Sequence, residues 1–489
     1  MAIVIERPTS ENPRRERLFR GQPRWFGTLF MVDVWERFSF YGMTAILYLY
    51  FVAPVTNGGL GLGAGDAAAL FGTYMSLMFI AALPGGWLAD RVLGARRSVL
   101  LGGCLIAAGH YTLSVPARPA VVVGLLLVIA GTGLLKPAIG TLISSPYPDD
   151  HARREALVSI FYMSVQIAAF LAPIVTGFLG EKVNWHLGFG AAAVGMTFGL
   201  LHWVRGARRF GEVGLLAERP VAAERLRVVT RRAAYTAAVL IVLLTVDVAS
   251  GAFKLRHILA LAGLLTISLP FVFFVRLRRN PALTPADRSR LVAFVWMLAG
   301  SSVFWMLYAQ DGSILSMFAK EHTDRGGMPA SWFQSAHHLF ILALAPLFAR
   351  LWVRLGRRAD TPVKFSGALL LGGLSFLVMA VAAQVAIATG LVSPAWLLTA
   401  YLLQVCGELS LAPIGIALAV QVAPRGFTNQ YQALWWLFAA LGAGVGGQLA
   451  RLSEVLPLPA YFALFGGLAF AAGALLALGS RSLRSRLAG

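Results

Sequence analysis

Asp33, Glu36, Arg37, Lys136, Asp311 and Glu408 all fall inside long apolar runs. A charge at mid-membrane depth costs about 2.5–3.5 kcal/mol on insertion scales, so such residues are functional candidates by default. Asp33, Glu36 and Arg37 stand at i, i+3 and i+4 and share one helix face. Two acids and one base in a single turn leave a net negative charge. A carboxylate poised between desolvation, a neighbouring acid and a neighbouring base can exchange a proton when a charged substrate arrives. The competing reading is a static ion cluster that ties helices together.

Lys136 precedes Pro137 in GTGLLKP, a cation beside a helix kink. It reads as an anion anchor or gate partner, or as a lysine that snorkels to the membrane surface. Glu408 is the only acid of its helix, with Gly407 and Pro413 allowing the backbone to bend around it. It reads as an acceptor for a substrate ammonium, a partner for Lys136, or a structural pair. His337 and His338 invite a metal reading, but adjacent side chains do not share a helix face and no nearby Cys or Glu completes a ligand set. They read instead as hydrogen-bonded structural residues or as substrate or proton contacts. Asp247, near the end of its apolar run, reads as interfacial.

The elements that hold these groups follow from composition. Of 489 residues 58% are apolar and 13% charged, against about 45–50% and about 25% in ordinary soluble chains. A soluble enzyme is thereby excluded. Cys104 and Cys406, the only cysteines, exclude a disulfide scaffold and a multi-cysteine metal cluster, and no cofactor is expected. The net charge of +20 raises nucleic acid as a partner. The bases, however, cluster between apolar stretches, which is the pattern of membrane topology. Residues 1–24 are polar and Arg-rich, with no apolar core of a cleavable signal peptide.

The spacing predicts helices over 25–54, 66–90, 97–115, 119–144, 155–178 and 186–204, a pair over 233–250 and 256–277, and further helices over 290–319, 331–355, 364–389, 395–422, 428–450 and 459–480. With the N-terminus inside, the outer segments hold only Arg118, Lys182, Lys254, Arg256, Lys320, Arg325 and Arg451 among the loop bases. The positive-inside rule favours that arrangement. The expected architecture is an all-α membrane protein with two six-helix bundles, an inserted pair, fourteen spans in all, and both termini cytoplasmic. Its expected divisions are an N-terminal bundle over 1–205, a cytoplasmic linker and inserted pair over 206–285, and a C-terminal bundle over 286–489. Two such halves suggest a major facilitator fold with its site between them near the midplane.

DVWERFSFYG (33–42) resembles the first-helix signature of the proton-dependent oligopeptide transporter family, Glu-x-x-Glu-Arg-Phe-x-Tyr-Tyr-Gly. GGWLADRVLGARR (85–97) resembles the loop between helices two and three of the superfamily, where Asp90, Arg96 and Arg97 would tie helix ends on the inner face. GTGLLKPAI (131–139), FYMSVQIAAFLAPIVTGFL (161–179), WHLGFGAAAVGM (185–196), FWMLYAQDGS (304–313), WFQSAHHLFILALAPLFARLW (332–352) and LLQVCGELSLAPIGI (402–416) carry the resemblance through almost the whole chain. It implies inward symport of di- and tripeptides with protons, by a multi-pass protein of the cell inner membrane that commonly works as a monomer, without nucleic acid or metal. It places Arg37 and Lys136 on the peptide carboxylate, Glu408 near the peptide amine, Asp33 and Glu36 with Arg37 in proton coupling, and Tyr41 and Trp435 among the cavity aromatics.

The departures from the family pattern are specific. Asp33 shortens the usual Glu, and Phe40 and Phe79 remove two tyrosine hydroxyls. Ala138 and Gln166 replace asparagines, the second a substrate contact, and His337-His338 replace Asn-Pro. Ala309 stands where an acid usually precedes Gln310. Asp311 lies two residues on, about 200° around a helix at roughly 100° per residue. It substitutes for the missing acid only if the helix breaks locally, which Gly312 would permit; otherwise it sits at the outer helix end in water. Two rivals are a non-peptide solute on the same machine (a modified amino acid, nitrate or a drug-like compound) and an intramembrane enzyme. The second lacks a Ser–His or paired-Asp constellation. A channel would show a ring of like residues.

Overall fold

The computed structural model describes residues 25–144, 151–251, 254–356 and 360–488. Among them the chain is all helix, with no sheet and a single isolated bridge between Thr323 and Val392. The reading of residues 1–24 as free of a signal peptide lies outside the described residues.

The first half contains α1 (Phe26–Val52), α2 (Ala64–Leu88), α3 (Ala95–Leu113), α4 (Arg118–Ser144), α5 (His151–Gly177) and α6 (Trp185–Gly206). The middle pair is α7 (Ala223–Ala249) and α8 (Leu255–Arg278). Then come α9 (Pro285–Tyr308), α10 (Ile314–Glu321), α11 (Trp332–Leu355), α12 (Thr361–Thr389), α13 (Ala395–Val422), α14 (Thr428–Leu449) and α15 (Leu458–Ala488). Among the described residues 12 helices are long and apolar enough to cross a membrane. The chain is a multi-pass membrane protein. Charge keeps α1, with Asp33, Glu36 and Arg37, and α3, with Arg96 and Arg97, outside that group.

Local chemistry fixes several helix ends. Thr284 and Asp287 form a reciprocal capping box at the start of α9, with Pro285 at the first helical position. Asp360 accepts from the Val363 amide at the start of α12, and Asn184 from the His186 amide at α6. A π-helical turn over Ala89–Leu93 continues α2 and stops at Gly94, whose φ of +78° turns the chain into α3.

Two expected helices are corrected. The span over 290–319 is two helices, because residues 309–313 turn between α9 and α10. The first helix of the inserted pair begins at Ala223, ten residues before the expected 233; its amphipathic, Arg-rich start carries the helix out of the apolar run.

Several helix pairs pack within one half of the sequence. α1 lies against α5 and α6, α3 against α4, α12 against α13 and α15, and α9 against α14 and α15. The sequence halves meet through α2 on α14 and α5 on α11. At the first crossing Gly72 and Gly447 face each other; a Cβ on Gly72 would lie 2.6 Å from the Gly447 Cα. α8 packs on α14 and α2, with Thr266 Oγ1 2.9 Å from Ser76 Oγ. No described residue of α7 is buried. An Asp247–His257 contact of 2.9 Å joins α7 to α8.

Candidate functional site

The first pole of the site belongs to α1, α4 and α5. The single turn of α1 that carries Asp33, Glu36 and Arg37 brings Arg37 Nε 3.5 Å from Asp33 Oδ1 and 3.4 Å from Glu36 Oε2. Ser164 of α5 donates to Asp33 Oδ2 at 3.2 Å. The Glu36 carboxylate is buried and accepts no hydrogen bond from the described residues; Arg37 is its charged neighbour. Arg37 keeps 20% of its side chain accessible against 3% and 1% for the two acids, and is the most accessible member of the cluster.

Lys136 enters from α4. Its Nζ lies 4.5 Å above the centre of the Phe40 ring and 4.0 Å from the Met78 sulfur. Among the described residues it makes no ion pair with a carboxylate. Phe40, which cost the cavity a hydroxyl in the sequence reading, thus supplies a π face for the ammonium. The expected alternative of a Lys136–Glu408 pair is not formed.

The second pole belongs to the α9–α10 break, α11 and α13. His337 of α11 places Nε2 2.9 Å from Glu408 Oε2 and Nδ1 3.3 Å from Asp311 Oδ2. The break decides where Asp311 points: it sits neither on the continuous helix nor at an outer end in water, and 13% of its side chain is accessible. Gly312 lies in this turn with the Phe71 ring of α2 packed close against it, where a Cβ would run into the ring. Tyr308 and Tyr401 present ring edges to His337 at 5.5 and 5.9 Å.

His338 joins the two halves. Its Nδ1 is 3.0 Å from Gln166 Oε1 of α5, and Tyr41 of α1 packs edge-on against it at 4.7 Å. The substrate contact expected of Gln166 is therefore occupied by a side chain of the other half. Gln310 accepts from the Tyr461 hydroxyl and faces α15. Trp435, expected among the cavity aromatics, lies instead in the core of the second half at 1% exposure. The bare face of Gly415 leaves the slot its indole fills. Phe79 stacks on Trp436 at 5.6 Å. Among the described residues no three His, Cys, Asp or Glu gather as a metal site.

One end of the bundle is closed by contacts between the halves that sequence reasoning missed. Glu181 accepts from the Ala330 amide, the Ser331 amide and the Ser331 hydroxyl at 2.8, 2.9 and 2.6 Å. Trp332 donates to the Ile174 carbonyl and Ser335 to the Phe170 carbonyl. Asp66 pairs with Arg451 at 2.9 Å, and Glu454 accepts from the Gly65 amide. Nothing local in the sequence marks these pairs, whose members are 149 to 389 residues apart. At the opposite end the expected tie between Asp90 and Arg96 or Arg97 is absent among the described residues. Arg96 donates instead to the Ala207 and Gly211 carbonyls after α6, and Arg97 is exposed. The Asp90 carbonyl accepts the Arg219 amide, which straps the linker across the α2–α3 turn. In α11, all fully buried residues lie between Phe333 and Ile341, and its later turns pack through the partly buried Leu344, Ala345 and Phe348, against Val405 and Leu409 of α13.

The geometry therefore offers a cationic pole and an acidic, imidazole-centred pole between two halves that are joined at one end. That arrangement suits a zwitterion. Residues 96–464 match the sequence model of the POT family. The uncharacterized transporter YclF of Bacillus subtilis is 37% identical over 478 residues, covering 96% of each chain. The di-/tripeptide transporter of Lactococcus lactis subsp. cremoris is 33% identical over 478 residues, covering 95% of this chain and 96% of its own. Among solved structures, the peptide transporter POT in complex with sulfate superposes with a TM-score of 0.91 at 38% identity, over 97% of this chain and 98% of that one. A POT family transporter in complex with 5-aminolevulinic acid superposes equally, with a TM-score of 0.91 at 32% identity, over 95% and 98%.

Proposed function

Because the chain belongs to the POT family, we propose that it is a proton-coupled symporter that imports di- and tripeptides by alternating access across the cell inner membrane. The observation that carries this reading is the pair of poles. Lys136 is a cation without a carboxylate partner among the described residues, and Glu408 is an acid whose only described partner is an imidazole. A peptide brings the complementary carboxylate and ammonium.

The proposed topology is fourteen spans with both termini cytoplasmic. The N-terminal bundle covers 1–205, the linker and inserted pair 206–285, and the C-terminal bundle 286–489. With that orientation the end sealed by Glu181 and Arg451 faces outward, and the structure corresponds to an inward-open state. Both poles come from one chain, so the monomer is the proposed transport unit.

The roles follow from the contacts. Arg37 and Lys136 take the peptide carboxylate. Drawing Arg37 toward the ligand leaves Glu36 and Asp33 short of their counter-charge, and a buried carboxylate in that position takes a proton rather than stay ionised alone. Glu408 takes the amine, with Tyr41 and Gln166 lining the space between. Neutralising both poles removes the penalty for burying them when the outer side closes, and release to the inside returns Arg37 to its two acids. Asp90 and Arg96 hold the inner turn and linker. Gln310 anchors the α9–α10 break through Tyr461.

Dialanine uptake into liposomes under an imposed inward proton gradient tests this for wild type and Glu36→Gln. Driven uptake in wild type, lost in the variant, is the expected result. A folded protein that moves no dialanine sinks the peptide reading. The alternative is then a non-peptide solute on the same machine. That alternative is favoured by one observation, the imidazole already resting on Glu408, and 5-aminolevulinic acid is the first competitor to add.

A further inference from the structure

Both ring nitrogens of His337 face carboxylates, Nε2 at 2.9 Å from Glu408 and Nδ1 at 3.3 Å from Asp311. A neutral imidazole has one N–H and one lone pair. With both acids ionised, the lone pair would point at an anionic oxygen at one of these two contacts. One more proton, held on the ring, satisfies the arrangement, because an imidazolium donates to both sides. His337 is 3% exposed, so leaving this mismatch unmet is costly. Among the described residues neither acid has a Lys or Arg partner.

The other titratable groups around the ring are few. Tyr308 of α9, Tyr401 of α13 and His338 of α11 lie 5.5, 5.9 and 5.5 Å away, ring centre to ring centre. Tyr162 of α5 stands near Glu408, and Tyr41 of α1 lies behind His338. α10 brings its charges, Lys320 and Glu321, only at its far end.

The geometry points to a second proton-binding site, made of His337, Asp311 and Glu408, whose proton travels with the substrate. This rests on the symport reading above. Two carboxylates and one imidazolium sum to a single negative charge, which one substrate ammonium neutralises. The second oxygen of Glu408 accepts no hydrogen bond from the described residues and is free for that ammonium. Without the proton, a negative charge would remain after the amine had bound, and closure would bury it. Proton and amine are therefore taken together. The proton arrives from outer water, is held on the ring, and leaves to inner water; only N–H and O–H bonds change.

The test is the proton-to-dialanine ratio, read in proteoliposomes from the equilibrium accumulation of dialanine against imposed pH gradients. A ratio does not depend on rate, so a slow variant still reports it. His337→Asn should move about one proton fewer per peptide. At a gradient of one pH unit its limiting accumulation should then fall about tenfold. Asp311→Asn serves the same comparison where His337→Asn does not fold. An unchanged ratio in either variant overturns the proposal. If wild type moves no dialanine, the peptide reading fails first, and the site is read without substrate. The 15N spectrum of imidazole-labelled protein should then show a ring, absent from His337→Asn, that gains its second proton as the pH falls from about 8 to about 5. A His337 ring that stays singly protonated over roughly pH 5 to 8 overturns the proposal on its own.

Discussion

The two poles solve the same electrostatic problem with different cations. In the first half Arg37 lies within 3.5 Å of both Asp33 and Glu36, and an arginine keeps its proton. In the second half His337 lies within 3.3 Å of both Glu408 and Asp311, and an imidazole does not have to. Each half thus sets one base between two acids, but only the second can switch the base itself off. The first must pass its proton to a carboxylate. The halves also differ in what is left over: the first has Lys136 to spare, and the second has no comparable cation among its described contacts. The first is therefore built to receive an anion and the second a cation.

The predictions probe that contrast, beginning with the largest effect. Lys136→Ala removes the spare cation and should weaken dialanine by about 2–5 kcal/mol, the cost of leaving one member of a buried charge pair alone. Competition uptake would measure it, and an unchanged affinity would erase the asymmetry between the poles. Glu36→Gln should next separate drive from movement: proton-driven accumulation is lost, while dialanine exchange slows by less. Equal losses in both would assign Glu36 to binding rather than coupling.

Glu181→Gln should weaken charge-assisted hydrogen bonds worth about 1.5–3 kcal/mol each at the end where the halves meet. Spin labels across that seam should show longer distances in the variant, and unchanged distances would remove Glu181 from the closure. The smallest effect belongs to Phe40→Leu. It deletes the ring under Lys136, worth about 0.5–2 kcal/mol, and should raise the KM for dialanine a few-fold with little change in kcat.

Much of the first pole was legible because it is local. Asp33, Glu36 and Arg37 lie within one turn of helix, and the periodicity of the chain alone puts them together. The apolar runs likewise marked most helices to within a few residues. The second pole was legible only as unconnected parts. His337, Asp311 and Glu408 come from three elements, and what joins them is a helix break at 309–313 that the apolar pattern runs straight through. Gly312 was the one hint. The closure at Glu181 left no trace, because its donors include the backbone amides of Ala330 and Ser331, which side-chain types do not reveal. The burial of Trp435 was not legible either, because the slot for its indole is the bare face of Gly415 on another helix, α13.

The central claim is that one ligand spans both poles, with its carboxylate on Lys136 and its amine on Glu408. The most direct measurement is a cycle of competition constants for dialanine and dialanine amide on wild type and Lys136→Ala, with N-acetyl-dialanine and Glu408→Gln as the matching cycle for the other end. The account predicts that wild type discriminates strongly against each charge-deleted ligand, and that each variant loses discrimination only at its own end. Discrimination in Lys136→Ala equal to that of wild type would contradict it.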